Sequence, residues 1–143
     1  MKNRQLWRIV SICLLVTTVV FCALWVHEKN DLSDIEQLAQ YGATESLAFF
    51  GEYRDTGDIG MYWSGVASFR SFENAFTLLN DYDEGDSDLA VCNAVFAQLL
   101  LHQEKFDACR DKLLETLSVL SIDVTDPRGM TLMYELRDLM EHG

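Results

Sequence analysis

Proline is almost missing from these 143 residues: Pro127 is the only one. Proline breaks helix interiors and central strands, so its scarcity leaves long stretches open to regular structure. Cations are scarce too, with 11 Lys and Arg against 23 Asp and Glu. Three of the 11, Lys2, Arg4 and Arg8, precede the first acid, Glu28. Residues 27–143 therefore hold eight cations against 23 carboxylates, a net charge of −15. Such a segment is repelled by nucleic acid and by anionic lipid, which excludes DNA or RNA as a partner. Histidines number three, His27, His102 and His142, and none belongs to a two-ligand motif. No nucleophile elbow, phosphate loop, dinucleotide fingerprint or paired Cys-x-x-Cys occurs. The sequence assigns no catalytic, cofactor-binding or metal-binding residue, and it predicts a protein that is not an enzyme.

What is present begins with an apolar run. Ile9–Val26, IVSICLLVTTVVFCALWV, carries no charge. As a helix, about 18 residues at ~1.5 Å each span ~27 Å, close to the hydrocarbon thickness of a bilayer. Ile9, Leu14, Val19 and Trp25 sample its length, and Trp7 and Trp25 stand at its ends, where indole rings favour the headgroup boundary. A cleaved signal has a shorter core and a small-x-small end. Phe21-Cys22-Ala23 puts a bulky ring at that end, so a retained anchor is the reading. Lys2, Arg4 and Arg8 before it predict a cytoplasmic N-terminus and an extracytoplasmic domain. Ser11, Thr18 and Cys22 share one stripe on which two anchors can approach.

Beyond the anchor the pattern is that of an all-α chain. The expected order is a basic segment 1–8, the transmembrane helix 9–26, a linker 27–32 and an acidic domain 33–143 of five helices in antiparallel hairpins. Ser33-Asp34-Ile35-Glu36 has the form of a capping box. The helix it opens presents Ile35, Leu38, Gly42, Phe49 and Tyr53, and Gly42 and Ser46 either admit a close neighbour or weaken the helix. Arg54–Asp58 reads as a turn. Tyr62, Val66, Phe69, Phe72, Phe76 and Leu79 then recur at helical spacing as a core stripe. Leu89, Cys92, Val95, Phe96 and Leu99 mark a third face, and Phe106, Cys109, Leu113, Leu117 and Leu120 a fourth. Asp126-Pro127 is a helix start, and Met130, Met133, Leu136 and Met140 face inward after it.

Cys92 and Cys109 read as buried thiols. A turn near residue 103 sets Cys92 about six residues, ~9 Å along the axis, from Cys109, too far for a disulfide. The acidic stretch DYDEGDSD at 81–88 lacks the glycine and the bidentate Glu of a calcium loop and reads as a solvated turn. Tyr62, Trp63 and Tyr82 are the candidate interface residues, with Trp63 either a rim of the core or an anchor for a partner.

Within Asn93–Thr116, Phe96, Ala97 and Leu100, then Phe106, then Cys109, Leu113 and Thr116, alternate large and small residues. This resembles one tetratricopeptide-type helical hairpin, and any closely nested hairpin shares the pattern. The resemblance implies recognition of a peptide or protein in a groove. The functional expectation is a membrane-tethered, non-catalytic interaction module, touching the bilayer through 9–26 and a protein partner through the domain. The alternative is a small accessory subunit whose anchor packs specifically inside a larger membrane complex.

Overall fold

The computed structural model describes the backbone of residues 2–80 and 87–142 and, within the first helix, the side chains of residues 17–22, 25, 29 and 31 onward. The chain is all-helical, with no strand among the described residues. In order come α1 (Lys2–Thr56), α2 (Ile59–Leu79), α3 (Ser87–Leu101), a 3-10 turn (Gln103–Lys105), α4 (Phe106–Leu120) and α5 (Pro127–His142). It divides into two compact units, residues 1–34 and 35–143.

The expected linker 27–32 and the capping box at Ser33 are corrected by α1, whose backbone is helical throughout Lys2–Thr56. No proline or glycine between Val26 and Tyr41 stops it. A helix already running adds each residue without a new nucleation cost, so a competent cap sequence inside it goes unused. Among the described residues, no helix is long and apolar enough to cross a membrane. Most of the expected span lies outside the described side chains, namely 9–16, 23, 24 and 26, and the anchor therefore remains a reading of the sequence.

Within residues 35–143 the helix ends follow local chemistry. Gly57 adopts φ 70°, the left-handed position after a helix, and its amide donates to the Tyr53 carbonyl at 2.8 Å. Asp58 then caps α2, its carboxylate accepting from the Gly60 amide at 2.8 Å. Asp126 caps α5 in the same way, accepting from the Arg128 amide at 2.8 Å with Pro127 at the first helical position, as the sequence indicates.

α1 and α2 form an antiparallel pair at very close range. The face that α1 turns inward is Ala39, Ala43, Ser46 and Phe50, all fully buried, whereas Leu38 is half exposed. This corrects the expected face, since Leu38 points outward and Phe49 is only half-buried while its neighbour Phe50 is in the core. Small residues let the two backbones approach: a methyl group placed on Gly42 would lie 2.6 Å from the Phe72 amide nitrogen. The buried Ser46 hydroxyl donates across the interface to the Gly65 carbonyl at 3.0 Å.

The α2 stripe is buried as its spacing indicates, with Tyr62, Val66, Phe69, Phe72 and Phe76 in the core. α2 packs on α3, α3 on α5, and α4 on α5. Lys112 to Glu135 at 2.9 Å and Lys105 Nζ to the Met140 carbonyl at 2.5 Å tie α4 and α5 antiparallel. The nested α3–α4 hairpin implied by the resemblance is not the arrangement adopted. Ala97 and Leu100, two of its contact positions, are exposed, and α5 is the helix that lies against both α3 and α4.

Candidate interaction surface

An aromatic cluster joins α1, α2 and the start of α4. Tyr62 sits 5.6 Å from Phe50, 5.2 Å from Tyr53 and 5.7 Å from Phe106, each ring meeting another edge to face. The Tyr62 hydroxyl donates to the Leu99 carbonyl at 2.5 Å, which satisfies a carbonyl near the open end of α3. Gln103 Nε2 donates to the Tyr53 hydroxyl at 3.1 Å. Tyr62 is fully buried, and burial pushes its phenol well above the usual tyrosine range. It is therefore a core residue and not an interface residue. The helical period gave the right face, but a tyrosine satisfied by one carbonyl is indistinguishable by spacing from one at a rim.

Trp63, the next residue, is 44% exposed and meets the Tyr62 ring at 5.2 Å, nearly perpendicular. It is the one proposed interface aromatic that presents surface among the described residues; Tyr82 lies outside them. Leu100 and Leu101, Ile59, and Tyr41 with Leu38 are further exposed apolar side chains. In the first unit Val19 and Trp25 are each more than half exposed, and Lys29 Nζ lies 4.6 Å over the Trp25 ring. The side chains of Ile9, Leu14, Lys2, Arg4 and Arg8 lie outside the described residues.

The titratable groups mostly serve the fold. Cys92 and Cys109 are both buried. The Cys109 thiol donates to the Phe106 carbonyl at 3.5 Å, and burial pushes it up to about 11. Glu104 accepts from its own backbone amide and contacts His102 Nδ1 at 3.0 Å; both hold its carboxyl below the usual range. His142 Nδ1 lies 3.1 Å from the Asp138 carbonyl at the end of α5. Among the described residues no group of three His, Cys, Asp or Glu side chains is arranged to hold a metal. Residues 81–86, which carry most of the acidic stretch, lie outside them.

One feature was not foreseen from the sequence. An open cleft of about 540 Å³ lies where the end of α2, the start of α3 and the start of α5 converge. Phe76, Leu79, Val124 and Met130 supply apolar walls, and Asp88 and Tyr134 supply polar groups. The Tyr134 hydroxyl donates to Asp88 Oδ1 at 2.8 Å. The three helices meet through contacts remote in sequence, so no local pattern marks the site. No protein-family model, curated protein or solved structure matches the chain.

Proposed function

We propose that this protein is a membrane-tethered helical interaction module, held in the bilayer by residues 9–26 with its N-terminus cytoplasmic and its acidic domain on the opposite side. The observation that carries the reading is the 18-residue run without a charge, preceded by a segment whose only charged side chains are the cations Lys2, Arg4 and Arg8. Val19, Val20, Phe21 and Trp25 each expose half or more of their surface, which supports the tether. Exposed in water they are unfavourable by roughly 25 cal/mol per Å² of apolar area, a cost that lipid removes. The Lys29 ammonium over the Trp25 ring suits the headgroup boundary, where an indole and a cation are both comfortable. For the domain, exposed Trp63 supports a protein partner, since tryptophan is enriched among the residues that carry binding energy at interfaces.

The experiment is cysteine labelling of the full chain in intact membranes with a charged, impermeant maleimide. Lys29→Cys is expected to react from the side of the acidic domain, while Cys22 stays unlabelled until the membrane is dissolved and the chain denatured. Labelling of Cys22 in intact membranes at the rate of Lys29→Cys refutes the tether. For the partner, a photo-crosslinking phenylalanine analogue in place of Trp63 is expected to give a discrete protein adduct that the same analogue at Ala48 does not give. Identical adduct patterns at the two positions refute the role of Trp63.

A further inference from the structure

The outer face of α2 and α3, on which Trp63 stands, carries an inference that rests on the tether and on a protein partner at Trp63. We propose that this partner is a second copy of the chain, joined through α3 about a two-fold axis parallel to that helix. α3 is apolar on all sides, since Leu89 to Leu101 holds no charged residue. Helices of that composition are covered all round, yet Ala90, Asn93, Ala97, Leu100 and Leu101 are exposed. The first four are spaced by three, four and three residues, which is the seam of a two-stranded coil. The Tyr62 hydroxyl holds the Leu99 carbonyl, and this brings Ile59 and Trp63, both close to half exposed, to the Leu100 end of that seam.

Charge and direction select the occupant. Between Ile59 and Phe72 the one charged residue is Arg70, which Glu73 answers. A basic partner finds its carboxylates elsewhere on the domain, whereas two copies meet at this face without burying a charge. Repulsion between the two acidic domains is screened beyond ~8 Å at physiological salt. α3 runs opposite to α2: Tyr62 at the start of α2 meets Leu99 at the end of α3, and Phe76 and Asp88 at their other ends border one cleft. α2 in turn runs opposite to residues 35–56 of α1. A parallel pair therefore brings the two Ile35 ends to one side, as two chains tethered in one bilayer require. In that pair Asn93 meets Asn93. Its Nδ2 donates to the Leu89 carbonyl at 3.2 Å, and the amide's second hydrogen and its oxygen match those of a second Asn93. A lone Asn in such a seam fixes the register and the number of strands. The face offers roughly 600 Å² per copy, the lower end for a specific interface, and sharing one membrane raises the local concentration.

The test is oxidative crosslinking of the full chain in phosphatidylcholine vesicles, with Cys13→Ser and Cys22→Ser so that the native thiols left, Cys92 and Cys109, are buried. Asn93→Cys is expected to form a disulfide-linked dimer about tenfold faster than Ala108→Cys, an exposed position on α4. Ala90→Cys mixed with Leu100→Cys is expected to give little mixed dimer, because a parallel pair keeps the two ~15 Å apart along the axis. Leu100→Glu sets two carboxylates against each other and is expected to slow the Asn93→Cys reaction about tenfold, with circular dichroism confirming that the variant is folded. Added salt is expected to speed it, by screening the two acidic domains from each other. Equal rates for Asn93→Cys and Ala108→Cys overturn the proposal, and so does a mixed Ala90–Leu100 dimer that forms faster than the Asn93 one. A rate untouched by Leu100→Glu means that the anchors alone bring the copies together, and overturns it too. The photo-adduct at Trp63 separates this proposal from the reading beneath it. An adduct of two copies supports the pair; an adduct with a different protein overturns the pair and leaves the interaction module standing.

Discussion

Replacing Gly42 by alanine tests how closely α1 and α2 approach. In the interior of a helix the change alone stabilises by about 1 kcal/mol, through lower backbone entropy in the unfolded chain. Here the added methyl group would lie 2.6 Å from the Phe72 amide nitrogen and 2.9 Å from its Cα. These are backbone atoms of the partner helix, so no rotamer change relieves the contact and the helices must separate. Overpacking of this kind costs ~1–3 kcal/mol, and a backbone clash belongs at the upper end. Gly42→Ala is therefore expected to destabilise by about 2 kcal/mol net. Gly51 lies on the same helix with nothing within 4 Å of its would-be methyl. Gly51→Ala is expected to stabilise by about 0.5–1 kcal/mol. At roughly 4 °C per kcal/mol for a unit of this size, the two variants should melt about 10–12 °C apart, with the wild type between them. Near-UV circular dichroism of the full chain in micelles is the assay, because it follows the packing of the aromatic core. A Gly42→Ala protein as stable as Gly51→Ala would refute the close contact.

Two further predictions concern buried groups. Arg70 pairs with Glu73, which is 3% exposed, and its guanidinium lies 4.9 Å over the Phe96 ring. Arg70→Ala is expected to cost roughly 2–4 kcal/mol in urea unfolding, and adding Glu73→Leu to recover most of it, since an isolated buried charge is worse than none. The Cys109 thiol, near 9 in an unfolded chain and about 11 in the fold, keeps its proton longer in the native state. Its contribution to stability is complete below about pH 9 and is lost as the pH rises towards 11, by ~2–3 kcal/mol. Cys109→Ala should flatten that part of the pH–stability curve, leaving the share due to Tyr62, whose phenol is raised by burial as well.

Large apolar residues at helical spacing made α2 through α5 readable, and Asp126-Pro127 gave the start of α5 because cap and ring act within one turn. The face of α1 was less readable because its inner positions are Ala39, Ala43 and Ser46, with Gly42 at the closest approach. Close packing selects residues for what they lack, and a search for large apolar side chains passes over them. Gly42 admitted two readings, a close neighbour or a weak helix, and only the position of Phe72 decides between them. The pairing of α3 with α5 is likewise absent from local sequence. Two consecutive helices joined by a short turn look like a hairpin until a later helix competes for the same apolar face. The cleft at Asp88 was hidden for the same reason, since residues 76–88 on one side of it and 124–134 on the other are remote in sequence.

That later helix bears on how the chain is made. α5 lies against both α3 and α4 and buries Leu132, Met133, Leu136 and Met140. It is also synthesised after both of them. α3 ends at Leu101 and α5 at His142, so at ~5–20 residues per second the apolar face of α3 waits roughly 2–8 s for its full cover. The α1–α2 pair is complete long before and can fold as it emerges. Synthesis thus supplies the α1–α2 pair first and the covering helix α5 last. In that interval the apolar face of α3 that α5 later covers is open to chaperones and proteases.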